Sequence, residues 1–203
     1  MDQQEFKPKN NSQNRVGEIV ASVTYGFTSQ CYTLYDPPPL GAIVRAGSPT
    51  IYAVVCSIST EPLDPGRRVL ARGHEETVEE NVYKQNPQLD KLLCTRFESL
   101  IVGYVEHGVP VHRLSPIPPR VHAFVYGCES EEIVEFTKSL DFLQILLNAN
   151  VGNLDDIIVA SLHNAMPAHS SSDDFILQSG RYIARYLAHD AGRLNGILKK
   201  LSV

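Results

Sequence analysis

No Gly-Lys pair occurs anywhere in the 203-residue chain. A P-loop needs G-x-x-x-x-G-K-[ST], so that backbone amides cradle the phosphates and the lysine meets the terminal one. P-loop nucleotide chemistry is therefore excluded. The chain also lacks a G-x-S-x-G elbow and any H-x-x-x-H or H-E-x-x-H spacing. His74-Glu75-Glu76-Thr77-Val78 fails at Val78, where a second zinc ligand would stand. His107, His112 and His122 flank a proline-rich connection, without the spacing of a helical metal site. Ser170-Ser171-Ser172-Asp173-Asp174 beside His169 holds triad residue types, but a helix start accounts for the same letters. Glu98 and Glu106 stand too far apart along an extended chain for shared acid–base work. The expectation is a protein with no catalytic residue, no metal and no cofactor.

A basic excess is missing too. The net charge is -5; residues 1–128 hold 12 Lys/Arg against 13 Asp/Glu, and residues 129–203 hold 6 against 10. Nothing in that balance favours a phosphate backbone, so nucleic acid is a disfavoured partner. Cys31, Cys56, Cys94 and Cys128 form no C-x-x-C pair. They read as reduced thiols of a cytoplasmic protein rather than as zinc ligands. No apolar run approaches the roughly 18–20 residues that cross a bilayer, and no membrane insertion is expected. Residues 1–14 are polar and read as a disordered lead-in.

What is present falls into two textures. Residues 15–128 carry short β-branched and aromatic runs divided by Pro and Gly: Val16–Tyr25, Ser29–Leu34, Leu40–Arg45, Thr50–Thr60, Arg67–Arg72, Glu98–Glu106 and Val121–Cys128. Their alternation is that of half-buried strands. Pro37-Pro38-Pro39 makes a stiff loop, because proline gives a sheet no ladder bond. Residues 74–97, with Glu75, Glu76, Glu79 and Glu80, read as a helical excursion. From residue 129 the period becomes helical. Ile133, Phe136, Leu140, Leu143 and Leu147 form one stripe; Leu154, Ile158, Leu162 and Ala165 a second; Ile176, Ile183, Leu187, Leu194, Leu198 and Leu201 a third. The predicted fold is α+β: a small closed β-barrel of about six strands, then a three-helix C-terminal tail packed on it.

Candidate binding residues come from two places. Tyr32 and Tyr35 flank the proline loop, and aromatics on a stiff loop lose little entropy on docking. Arg45, Arg67, Arg68 and Arg72 are the one basic concentration, suited to an acidic partner surface or to guarding a strand edge.

Gly17-Glu18-Ile19-Val20, the proline loop, Gly41-Ala42-Ile43-Val44 and Ile51-Tyr52-Ala53-Val54-Val55 follow one another in an order that resembles the HAS-barrel family. This is the barrel shared by HerA-type DNA-translocating ATPases and the catalytic subunits of rotary ATP synthases. The likeness covers residues 16–72, extending toward 128, and its motifs are short and apolar. Those families carry a P-loop domain after the barrel; this chain does not. The resemblance therefore implies docking between subunits or with a partner, and transfers no catalytic residue. The expected function is a non-enzymatic protein–protein interaction module, acting on a protein partner or on itself as a homo-oligomer. It would serve as an accessory or assembly factor for a ring-shaped ATPase, or as a self-assembling scaffold. The alternatives are a regulatory barrel that binds a small ligand or nucleotide, and an enzyme of unrecognised type.

Overall fold

A computed structural model describes residues 14–202. The expected lead-in, residues 1–14, lies outside them except for Asn14. Seven strands form the N-terminal part: β1 Arg15–Val23, β2 Gly26–Cys31, β3 Ile43–Ala46, β4 Ile51–Pro62, β5 Leu93–Glu106, β6 Val109–Val111 and β7 Phe124–Gly127. Two short helices, α1 Glu80–Gln85 and α2 Leu89–Leu92, fill the excursion between β4 and β5. Every strand pairing is antiparallel. The order β1–β2–β5–β4–β3–β7 returns to β1, so the hydrogen bonding closes into a ring, with β6 appended to β5.

Alternation sorts the side chains of β4 between two cores. Ile51, Ala53 and Val55 join Ile19, Phe27, Val44, Phe97 and Val125 inside the ring. Tyr52 and Val54 point the other way, into a second core built with the helices. This is the period-2 rule read on a strand buried on both faces. In β5 a bulge at Val102 shifts the register between Ile101 and Gly103. Parity flips there, so Tyr104 rather than Gly103 turns inward. Gly103 meets the helical side, where a Cβ would lie 2.6 Å from the Val111 carbonyl and 3.0 Å from the Phe136 ring.

Five helices follow: α3 Ser130–Phe136, α4 Phe142–Leu147, α5 Leu154–Ala165, α6 Ser172–Tyr186 and α7 Ala191–Leu201. The expected three are thus a correction. The first stripe is broken at Thr137–Asp141, where the Thr137 hydroxyl donates to the Ile133 carbonyl and Ser139 donates to Asp141. The third is broken at Leu187–Asp190, where Asp190 accepts from the Arg193 amide and starts α7. Across both breaks the stripe residues Phe136, Leu143, Leu147, Ile183, Leu187 and Leu201 still reach one core, and the new helix starts add Phe142, Leu146 and Ile197, which the stripes left out. A stripe records which side chains turn inward; it does not record whether the backbone between them is continuous. The expected strand Arg67–Arg72 is a second correction: residues 67–73 form no regular element. Val69 and Leu70 are both exposed there, and alternation without a neighbouring strand makes no ladder.

The helices pack on β3, β4 and β5, whose outward residues Ile43, Tyr52, Val54 and Val102 belong to their core. Gly41, at φ +79°, lets α5 approach: a Cβ there would sit 2.4 Å from the Ser161 nitrogen. No helix among the described residues is long and apolar enough to cross a membrane.

Candidate docking face

Among the described residues, the wall of the ring formed by β1 and β7 carries no such coat. Val20 and Phe124 are exposed on these strands, with Val121 just before β7. Arg15 opens β1 on this wall. Its guanidinium lies 4.9 Å from the centre of the Tyr32 ring and 4.6 Å from that of Phe124. Both distances suit cation–π contact. Antiparallel pairing builds this sandwich. Glu18 of β1 stands opposite Phe124 of β7, and the Tyr32 amide donates to the Val16 carbonyl just beyond β2.

The Tyr32 hydroxyl donates to Glu18 (3.3 Å), and the other Glu18 oxygen lies 2.5 Å from His122 Nδ1. His122 holds a left-handed φ of +69°, fixed by its amide donating to the Ile19 carbonyl. The His122 contact, first, and the Tyr32 hydroxyl hold the Glu18 carboxyl below its ordinary range. Tyr32 is half exposed and its phenol is pushed up, by desolvation first and then by Glu18. The face thus presents two rings, a guanidinium and an imidazole, with one carboxylate beneath them.

Arg45 lies behind this face rather than on it. It is 4 % exposed, its Nε lies 2.9–3.0 Å from the Glu132 carboxylate of α3, and Tyr126 covers its guanidinium at 4.8 Å. Tyr52 also donates to Glu132 (3.0 Å). Burial raises the Glu132 pKa, against the pull of Arg45. Arg45 therefore belongs to the joint between sheet and helices, apart from Arg67, Arg68 and Arg72. Those three are exposed on the excursion, where Arg72 donates to Asn86. Tyr35 is also apart from Tyr32: its amide donates to Thr95 (2.9 Å) and its ring meets Tyr83 of α1 edge-on at 6.0 Å. Of the six candidate residues only Tyr32 lies on this face. Sequence reasoning missed Arg15 and Phe124 and named His122 only as a metal candidate, because strand order alone brings residues 15, 32 and 124 together.

A cleft lies between β2, β5 and α4. It holds about 670 Å³ and is walled by Val23, Phe27, Leu100, Leu114, Ile145 and Val151. Among the described residues its ionisable groups are Tyr25, Cys56 and Glu98, and no basic residue lines it. Burial pushes the Cys56 thiol up to about 11, so it is not a thiolate at neutral pH. His107, His112 and His122 do not gather: His112 bonds the Phe136 carbonyl (2.9 Å), and His122 faces Glu18. Among the described residues no three His, Cys, Asp or Glu side chains cluster as metal ligands would. The sequence matches neither a protein-family model nor a curated protein.

Proposed function

We propose that this chain is a non-enzymatic protein–protein interaction module, docking through the Arg15–Tyr32–Phe124 face. One observation carries the reading: the helices coat one wall of the ring and, among the described residues, leave the opposite wall bare, with an arginine between two aromatics on it. Tyr and Arg are the residue types that dominate binding hot spots, and both are held here by neighbours before any partner arrives. The strand ring supports reading residues 15–128 as a small closed barrel of the HAS type. On that reading the partner is a subunit of a ring-shaped ATPase, which the chain accompanies as an accessory or assembly factor.

The test is affinity capture of the tagged protein from its native cell extract, with and without nuclease, comparing wild type with the double variant Arg15→Ala/Tyr32→Ala. Ring-ATPase subunits recovered by wild type in both conditions, and lost in the variant at unchanged melting temperature, are the expected result. Recovery of the bait alone sinks the reading, and nuclease-sensitive recovery replaces it with nucleic-acid binding.

The cleft favours a second reading, a ligand-binding module. Its volume lies within the roughly 300–1,000 Å³ usual for small-molecule sites. Apolar walls and a single carboxylate suit an uncharged or cationic apolar ligand, and the lack of a basic residue argues against a nucleotide. A ligand of that class would raise the melting temperature with concentration.

A further inference from the structure

The last part of β4 leaves the ring. Ser57, Ile58, Ser59 and Thr60 are exposed in succession, where a strand on a sheet wall would alternate. They pair with β5, from Ser57 opposite Glu98 to Pro62 opposite Leu93. β3 has already turned away: its last bonds to β4 on this side are Val55 donating to Ala42 (3.0 Å) and Gly41 donating to Val55 (2.8 Å). Among the described residues no strand lies along the other side of residues 57–62.

Hydrogen bonds at both ends fix which backbone groups face that open side. Val55 directs its N–H and C=O toward the β3 side, and a bulge at Cys56 follows. Leu63 directs its N–H the opposite way, to the Leu92 carbonyl (2.8 Å). Strand alternation between these points turns Ser57, Ser59 and Glu61 toward β5. It turns Ile58, Thr60 and Pro62 toward solvent. Pro62, with no N–H, therefore sits where no ladder bond is lost. The N–H and C=O groups of Ile58 and Thr60 remain as an open edge.

Proteins guard such edges with lysine, inward charge, proline or a bulge. Here the bulge at Cys56 and Pro62 close off the two ends, and the window between them is unguarded. Its one charge, Glu61, is already held by Arg96 at 2.9 Å. The window is also self-complementary. Antiparallel pairing about Ser59 sets Ile58 of one copy opposite Thr60 of the other, so each pair exchanges both of its N–H···O bonds and no unpaired like charges meet. Ile58 and the neighbouring Leu63, Val69 and Leu70 are exposed and supply apolar area beside the edge.

We propose that the open edge of β4 at Ile58–Thr60 pairs with the same edge of a second copy of this chain, joining two rings through one continuous sheet. The experiment combines sedimentation equilibrium over a wide concentration range with amide hydrogen exchange. Wild type passes from monomer to dimer, and the Ile58 and Thr60 amides gain protection as it does so. Ile58→Pro removes only an outward N–H, and Ile58→Lys places a charge on the edge; each weakens the dimer by about tenfold or more. Ile58→Lys decides the matter if the proline variant does not fold. A monomer at every concentration overturns the proposal, as does a dimer indifferent to Ile58→Lys. Protection of these amides that is independent of concentration also overturns it, and assigns the edge to the chain itself. The dimer survives Arg15→Ala/Tyr32→Ala, which separates this result from the fate of the docking face.

Discussion

Arg45 shows how one residue changes meaning between sequence and fold. Counted along the chain it is a cation near other cations; folded, it is sealed against Glu132, Tyr52 and Tyr126. A buried charge pair is a weak source of net stability, because desolvation offsets the attraction. Breaking it is another matter. Glu132→Ala leaves a guanidinium buried without its carboxylate and should cost about 3–5 kcal/mol in urea unfolding. Replacing both partners, Arg45→Met with Glu132→Leu, should restore much of that loss. Equal losses in the single and double variants would show that the pair is not what holds α3 to β3. Gly41 offers a second check at this scale. Gly41→Ala meets both the positive φ and the backbone of α5, and should destabilise by more than about 1 kcal/mol.

Among the elements, the break between α3 and α4 is held by polar contacts that respond to pH. Asp141 accepts from Ser139 and from Tyr182 of α6, and these bonds hold its carboxyl below the ordinary value of 3.8. Glu18 and Glu106 are depressed as well, by His122 and Tyr104 respectively as the leading causes. A carboxyl depressed in the folded state adds stability above its unfolded pKa, and that share is lost as pH falls through the folded value. His112 and His169 are depressed from 6.5 by burial, so folding favours their neutral form and their share declines as pH drops below that value. Glu132 acts in the opposite sense: its pKa is raised, and its share is lost as pH rises through it. The urea midpoint should therefore fall in acid, first below about pH 6.5 and again below about pH 4. Asp141→Asn should flatten the second fall. A variant curve parallel to wild type would remove Asp141 from this account.

At the scale of the whole molecule, the decisive feature is asymmetry. One wall of the strand ring is covered by α3, α4 and α5, with α6 and α7 joining the same core, and the other carries an arginine held between exposed rings. Arg15→Ala and Phe124→Ala remove surface contacts and touch neither core. Each should move the melting temperature by no more than a few degrees, since surface changes stay within about 0.5 kcal/mol. Partner capture should fall sharply in both. A large loss of stability would make the stack part of the scaffold instead of a docking face.

The change from strand period to helical period after residue 128, the strands around Ile19, Val44 and Val54, and the helical stripes were all legible in the sequence. Each is a local pattern: a side chain's facing follows from its own backbone period. The helix breaks were half legible, since Asp190 has the chemistry of a cap, but an unbroken stripe ran across it. Partnership was not legible at all. Arg67–Arg72 alternates like a strand and has no neighbour, while Arg15, Tyr32 and Phe124 lie far apart in sequence and meet through the pairing of β1 with β2 and β7. The sequence alone determined where strand alternation gives way to helical period and which stretches carry each pattern. Only the tertiary structure decided which strands are neighbours, which wall the helices cover and which edge stays open, because those follow from long-range pairing that no local period encodes.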